Sequence, residues 1–409
     1  MGKATSVLTG GMIIAGTAIG AGMLANPTAT SGVWFVGSLL VLAYVWLCMS
    51  LSALMLLEAR MHFPAGASFH SMVKQLLGPG WNAICAFSLV FVLYSLTYAY
   101  IFVGGGITQS LIAPAVHVPR PVAATLFIVV LAAFVVASTQ WVGRFSTVLI
   151  GLMVVCFLLA VARIFPHVSP AVLLNTGGQP FYGPYLWLAL PVCLASFGFH
   201  GNVPGLVDYH QGKAKPVAQS IWLGSGLALA LYVLWQVAVQ GTLPRSEFAP
   251  VLAADGDVAV LLKAMSGYLS TAGMGQWLHA FAYFAIVSSC LGVTLGLFDY
   301  VRDAFAWPTT VAGRSKTAAV TFLPPWLAYL LVPTGFVKVM GYVGLMAAVW
   351  AVLIPALLVR QCRQQFPHSK CYRAPGGRAS VYCVMLFAAV VILVQLLLLG
   401  QWLPVYQGG

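Results

Sequence analysis

Gly10-Gly11-Met12-Ile13-Ile14-Ala15-Gly16-Thr17-Ala18-Ile19-Gly20-Ala21-Gly22-Met23-Leu24-Ala25-Asn26-Pro27 makes up most of the first long apolar run of the chain. Glycines 16, 20 and 22 fall in its middle, where hydrocarbon cannot satisfy the main-chain groups that a loosened helix releases. Gly16 and Gly20 are also four residues apart, so this stretch alone fits close helix packing through a face of small residues equally well. A later run decides between the two readings: Leu190-Pro191-Val192-Cys193-Leu194-Ala195-Ser196-Phe197-Gly198-Phe199-His200-Gly201-Asn202-Val203-Pro204-Gly205. It is interrupted at its middle by Gly198, Gly201, Pro204 and Gly205, with polar His200 and Asn202 beside them. The two breaks start about 180 residues apart, which is five spans of roughly 36 residues each. An odd offset turns the second unit upside down relative to the first. Interrupted helices in corresponding positions of two inverted halves point to a secondary transporter with its site near the bilayer midplane.

The rest of the 409-residue chain agrees with a membrane setting. It is 61% hydrophobic and 6% charged, with a mean hydropathy of +0.95, whereas soluble domains carry about 25% charged residues. A soluble enzyme, a nucleic-acid binder and a disordered regulator are excluded. The net charge of +12 comes from nineteen basic against seven acidic residues, spread in short pieces between apolar runs. That pattern suits an anionic lipid leaflet better than nucleic acid. Six of the eight cysteines lie inside apolar runs, where a thiol is a small apolar side chain. Cys362, Cys371 and His368 share a basic loop, but they lack a fourth ligand and a tight C-x-x-C pair, so no metal site and no cofactor are expected. Residues 1–9 are short and the first run shows no A-x-A cleavage pattern, so a removable signal peptide is not expected.

Eleven runs of about 20 mostly apolar residues are legible, at roughly 6–30, 33–57, 81–110, 121–139, 145–164, 185–209, 217–241, 275–298, 317–334, 338–359 and 379–402. The expected fold is an all-α polytopic membrane protein of eleven transmembrane helices. Residues 1–164 form a first five-helix repeat, residues 185–359 a second, inverted repeat, and residues 379–402 an additional helix. Helices one and six are expected to be discontinuous. With the N-terminus in the cytoplasm, fourteen of the nineteen basic residues, Lys3 and Lys370 among them, fall on the cytoplasmic side. An odd number of spans then puts the C-terminus outside.

Each break offers amides at the start of one half-helix, suited to a carboxylate, and carbonyls at the end of the other, suited to an ammonium or small cation. All seven acidic residues sit at span ends or in loops. A strongly cationic solute would call for a buried acid and a dianion for a buried arginine. A zwitterion held by main-chain dipoles, a free amino acid, fits best, and a neutral solute also fits. Tyr94 and Tyr98 share one face of the third span and could line an aromatic slot with Phe197 and Phe199, or could be ordinary aromatic packing.

The motifs Gly16-Thr17-Ala18-Ile19-Gly20-Ala21-Gly22-Met23-Leu24, Ser196 to Pro204, Leu295-Gly296-Leu297-Phe298-Asp299-Tyr300 and Thr321-Phe322-Leu323-Pro324-Pro325 resemble the hydroxy- and aromatic amino acid permeases of bacteria. That family lies within the amino acid–polyamine–cation superfamily, which has the LeuT-like inverted-repeat fold, and the likeness runs essentially end to end. Residues 185–207 and Tyr94-Ser95-Leu96-Thr97-Tyr98-Ala99-Tyr100 are most similar to the tryptophan permeases. The resemblance implies proton-driven import of tryptophan across the inner membrane, shared in part with tyrosine or phenylalanine. It implies that Gly16, Thr17, Ala18, Ile19, Gly20, Ala21 and Gly22, with Ser196, Phe197, Gly198, Phe199, His200, Gly201 and Asn202, hold the substrate backbone. Tyr94 and Tyr98 would close around its ring. Ser288 and Ser289 match the cation-binding hydroxyls of sodium-coupled relatives. The lysine that some proton-coupled relatives carry in the fifth span is missing here.

The favoured proton carrier is His200, an imidazole titrating near neutrality and set in the sixth-span break; Glu58 and Asp208 are weaker candidates. An intramembrane enzyme is disfavoured, because the sequence has no H-E-x-x-H, no G-x-S-x-G and no paired buried carboxylates, and His279 stands alone. A sodium-coupled symporter and a tyrosine-selective permease are the rival transport readings. The expected partners are the small-molecule substrate, protons and the lipid bilayer.

Overall fold

The computed structural model describes residues 6–113, 115–137, 139–176, 183–269, 274–332, 335–369 and 371–408. Lys3 and Lys370, two cations of the orientation count, lie outside these residues. Every regular element among the described residues is helical.

The first run folds as two pieces. Helix α1 (Val7–Ala18) ends where Ile19 turns to an extended conformation, and α2 (Ala21–Ala29) leaves at 55° to it. Next come α3 (Trp34–Arg60), α4 (Phe69–Leu77), α5 (Pro79–Ile112), α6 (Arg120–Ala137), α7 (Thr139–Ile164) and the short α8 (Pro170–Leu174). The sixth run also breaks. Helix α9 (Leu186–Ser196) stops before Phe197, a 3-10 turn covers His200–Asn202, and α10 (Val203–Tyr209) continues the span. Pro204 sits in the first turn of α10, where its missing amide costs nothing.

The chain goes on through α11 (Ala214–Gln240), α12 (Ala249–Ala253), α13 (Val258–Leu269), α14 (Met274–Ala304), α15 (Val311–Leu331), α16 (Phe336–Ala347), a π-helical stretch at Ala348–Leu353, α17 (Ile354–Gln365) and α18 (Gly377–Leu399). The described residues hold nine helices long and apolar enough to cross a bilayer, and the bent pair α1–α2 raises this to ten. Helix α15 covers the ninth run and has the length, but it carries Arg314 and Lys316 in its first turns and is not among those nine. The chain is therefore a multi-pass membrane protein. The segment between α11 and α14 makes an excursion that carries a 3-10 turn at Arg245–Phe248 and the helices α12 and α13.

Helix α9 lies at the centre, packed on α2, α3, α16 and α18. Two glycines allow this closeness. A methyl group at Gly22 would lie 2.7 Å from the Ser196 Cα, and one at Gly344 would overlap the Pro191 carbonyl. Small residues let main chains meet where side-chain burial gives little drive for helix association.

Ion pairs gather at the two ends of the bundle. At one end the Glu58 carboxylate receives Arg363 Nε and Nη2 at 2.8 and 2.7 Å and the Ala374 amide at 2.7 Å, so α3 holds α17 and the approach to α18. Arg60 pairs with Asp208 at 2.8 Å, tying α3 to α10. At the opposite end Arg120 meets Asp257 at 2.6 Å and Lys338 meets Asp255 at 2.7 Å, which fastens the α12–α13 excursion to α6 and α16.

Candidate functional site

The two breaks lie against each other. Thr17, in the last turn of α1, donates its hydroxyl to the Ile13 carbonyl at 2.9 Å and accepts the Asn202 amide at 2.7 Å. Ser196, the last residue of α9, donates to Asn26 Oδ1 at 2.9 Å. The Tyr232 hydroxyl on α11 reaches the Ala18 carbonyl at 2.5 Å and the Ser196 carbonyl at 2.6 Å. Two of these contacts directly join residues 185 and 170 positions apart, and Tyr232 bridges the ends of α1 and α9 as a third link. Thr17 and Gly201 are exposed and Asn202 partly so, while Ala18, Ile19, Gly20, Phe197 and Phe199 are buried. A methyl group added at Gly16 or Gly201 would meet nothing within 4 Å, and one at Gly198 only the Ala195 carbonyl, at 3.4 Å. Of Ala21 the backbone alone is described.

Ser289 belongs with this group. A methyl at Gly20 would run into its hydroxyl, and Tyr100 also interacts with its side chain. Ser288 instead turns its hydroxyl to the Ala285 carbonyl of its own helix.

Tyr94 and Tyr98 stand apart from the breaks. Tyr94 donates to the Val320 carbonyl at 2.8 Å and Tyr98 to the Val332 carbonyl at 2.9 Å. Their rings line a cavity of about 470 Å³ between α5, α15 and α16, walled by Phe87, Phe91, Pro324, Ala328 and Val339 among others. None of its lining residues comes from 16–22 or 196–202.

The three proton-coupling candidates differ in how fully they are engaged. Glu58 is committed to Arg363 and Ala374, and Asp208 to Arg60 and the Gly66 amide. His200 is fully buried, stacked on Phe199 at 5.1 Å and edge-on to Trp350 of the π-helical stretch at 6.2 Å. The Met49 main chain approaches it, yet neither ring nitrogen completes a hydrogen bond among the described residues. His279 is closed on the Gly275 carbonyl of its own helix.

Tyr232 and Asn26 went unmarked in the sequence reading. The available signal was a tyrosine alone in the middle of the seventh span, since a hydroxyl at membrane depth must find an acceptor.

Residues 3–395 match the family model for the tryptophan/tyrosine permease family. The chain belongs to that family. It is 51% identical to the tryptophan-specific transport protein of Haemophilus influenzae over 99% of both chains. It is 38% identical to the low affinity tryptophan permease of Escherichia coli, covering 96% of this chain and 95% of the relative. The tyrosine-specific transport system 1 of Haemophilus influenzae is 30% identical, covering 97% and 98%. These relatives are transport proteins, and this permease is a transporter, not an enzyme.

Proposed function

We propose that this permease imports an aromatic amino acid, tryptophan first, across the bacterial inner membrane by proton symport. The 51% identity with a tryptophan-specific transport protein over 99% of both chains carries the substrate assignment. The reading takes eleven spans in a LeuT-like five-plus-five inverted repeat, counting α1–α2 as one span and α15 as another, with the N-terminus cytoplasmic and the C-terminus periplasmic. The substrate backbone binds between the breaks at 16–22 and 196–202. The carbonyl ends of α1 and α9 face its ammonium, and the amides opening α2 and α10 face its carboxylate. The contacts of Thr17 with Asn202 and of Gly22 with Ser196 support this reading, because they bring the two breaks within one side chain of each other. Tyr94 and Tyr98 hold α15 and line a separate cavity, so they are left out of the main-chain grip on the substrate. Ser288 and Ser289 are the remnant of a cation site.

His200 is the proposed proton carrier, since Glu58 and Asp208 already hold arginines. A buried imidazolium without an acceptor is costly. Protonation therefore belongs to a state in which the second break has opened to water, and alternation of the half-helices about their glycines provides that state.

Proteoliposome uptake of labelled tryptophan under an imposed pH gradient, compared with an imposed sodium gradient and with excess tyrosine as competitor, tests the reading. Accumulation driven by pH alone and weakly inhibited by tyrosine is expected. Sodium-driven uptake would overturn the coupling, and tyrosine-dominated uptake the substrate. His200→Ala should still bind tryptophan but lose pH-driven accumulation; undiminished accumulation would remove His200 from the mechanism.

A further inference from the structure

Tyr232 is fully buried midway along α11, and its ring stands edge-on to Phe197 at 5.0 Å. Its hydroxyl lies between two main-chain carbonyls, 2.5 Å from Ala18 and 2.6 Å from Ser196. These are the last helical residues of α1 and α9, each on the N-terminal side of a break. A helix end of this kind presents carbonyls that have lost their intrahelical amides and concentrates the negative end of the dipole. Two such ends meeting inside a bilayer repel one another unless something positive lies between them. Ser196 Oγ and Asn26 Oδ1 add further oxygen at the same junction. Oxygen-lined ends of half-helices are where secondary transporters hold a coupling cation, and carbonyl oxygens are hard ligands suited to one. Here the partial positive charge comes from a phenolic proton.

We propose that the Tyr232 hydroxyl is a built-in replacement for a cation at this junction. It is a positioning residue: it fixes the distance between the ends of α1 and α9 and makes a bound sodium unnecessary there. A phenol has one proton to share between two acceptors, so carbonyl lone pairs remain for the substrate ammonium. This last step rests on reading the two breaks as the substrate site; the replacement of a cation does not.

Two variants of the full-length protein separate the roles. Tyr232→Phe keeps the ring and removes the proton. Tyr232→Ser removes the ring as well and leaves room for a hydrated or bare cation. The melting temperature of Tyr232→Ser should rise by several degrees in sodium or lithium chloride relative to choline chloride, whereas the wild-type protein should not respond. Tyr232→Asn, with an amide oxygen in place of the phenol, serves the same comparison if the serine variant does not fold. In proteoliposomes Tyr232→Phe should raise KM for tryptophan about tenfold. Cation-insensitive Ser and Asn variants, a wild-type KM in Tyr232→Phe, or sodium stabilisation of the wild-type protein would each overturn the proposal. The melting measurement needs no substrate, so a failure of the tryptophan assignment would show separately, as absent wild-type uptake.

Discussion

The Tyr94 hydroxyl donates to the carbonyl of Val320, the residue four positions before Pro324. A proline ring carries no amide, so Val320, like Thr321 before Pro325, is an acceptor that the i+4 pairing of α15 cannot satisfy, and α5 satisfies Val320 from outside. An unmet carbonyl costs on the order of 1 kcal/mol or more when buried, and hydrogen bonds between membrane helices average about 0.6 kcal/mol. Tyr94→Phe should therefore destabilise the protein by about 1 kcal/mol. In a Pro324→Ala background, where the substituted residue supplies the missing amide, that cost should shrink toward zero. A double-mutant cycle on denaturation in detergent measures this, and equal costs in both backgrounds would refute the coupling.

Gly16 and Gly22 flank the same break, in α1 and α2, and should respond differently to a methyl group. At Gly22 the added carbon would sit 2.7 Å from Ser196 main chain, which cannot swing away as a side chain could. At Gly16 nothing lies within 4 Å. Gly22→Ala should abolish most uptake at equal membrane abundance, while Gly16→Ala should leave expression and stability near wild type. Robust uptake by Gly22→Ala would mean that α2 and α9 are not in contact during the cycle.

Both breaks could be read from the sequence because glycine and proline act locally: they release main-chain hydrogen bonds wherever they fall. The structure ends α1 at Ala18, between Gly16 and Gly20, and α9 at Ser196, two residues ahead of Gly198. What the sequence could not supply was direction. Tyr94 and Tyr98, spaced as i and i+4, share a face whatever that face meets; it meets α15, not the breaks. Glu58 carried the same ambiguity. A carboxylate at a span end is equally a proton site or an anchor, and its partner Arg363 lies 305 residues on. Tyr232 escaped notice for the converse reason, since nothing adjacent in sequence shows that two helix ends converge on it.

The two ion pairs of the α12–α13 excursion should differ sharply in worth. Asp257 is buried beside Arg120 and also accepts the Ala259 amide at 2.9 Å at the start of α13. Removing its charge strands a guanidinium that already rests on the Phe102 ring. Asp255 and Lys338 are 41% and 63% exposed. A fully buried pair costs about 3–5 kcal/mol to break and an exposed one about 0–1 kcal/mol; with Arg120 31% exposed and Asp257 3% exposed, this pair falls between the two and nearer the first. Asp257→Asn should lower the melting temperature strongly and Asp255→Asn barely. Similar losses from both would show that burial does not set the difference.

His210, just past the end of α10, supplies a pH dependence outside the spans. It is buried, with Nε2 3.3 Å from the Ser220 hydroxyl, and Nδ1 has no hydrogen-bond partner among the described residues. Burial disfavours the imidazolium and holds its pKa below the ordinary histidine value. Between that lowered value and about 6.5 the unfolded chain binds more protons than the folded one. The contribution of neutral His210 is therefore complete above about pH 6.5 and is lost as the pH falls through the window below it. The melting temperature should drop as pH is lowered from about 7.5 to about 5.5, and His210→Gln, which cannot titrate, should flatten that slope. The comparison of the two profiles cancels the other histidines, so parallel profiles would show that His210 titrates alike in the folded and unfolded chain.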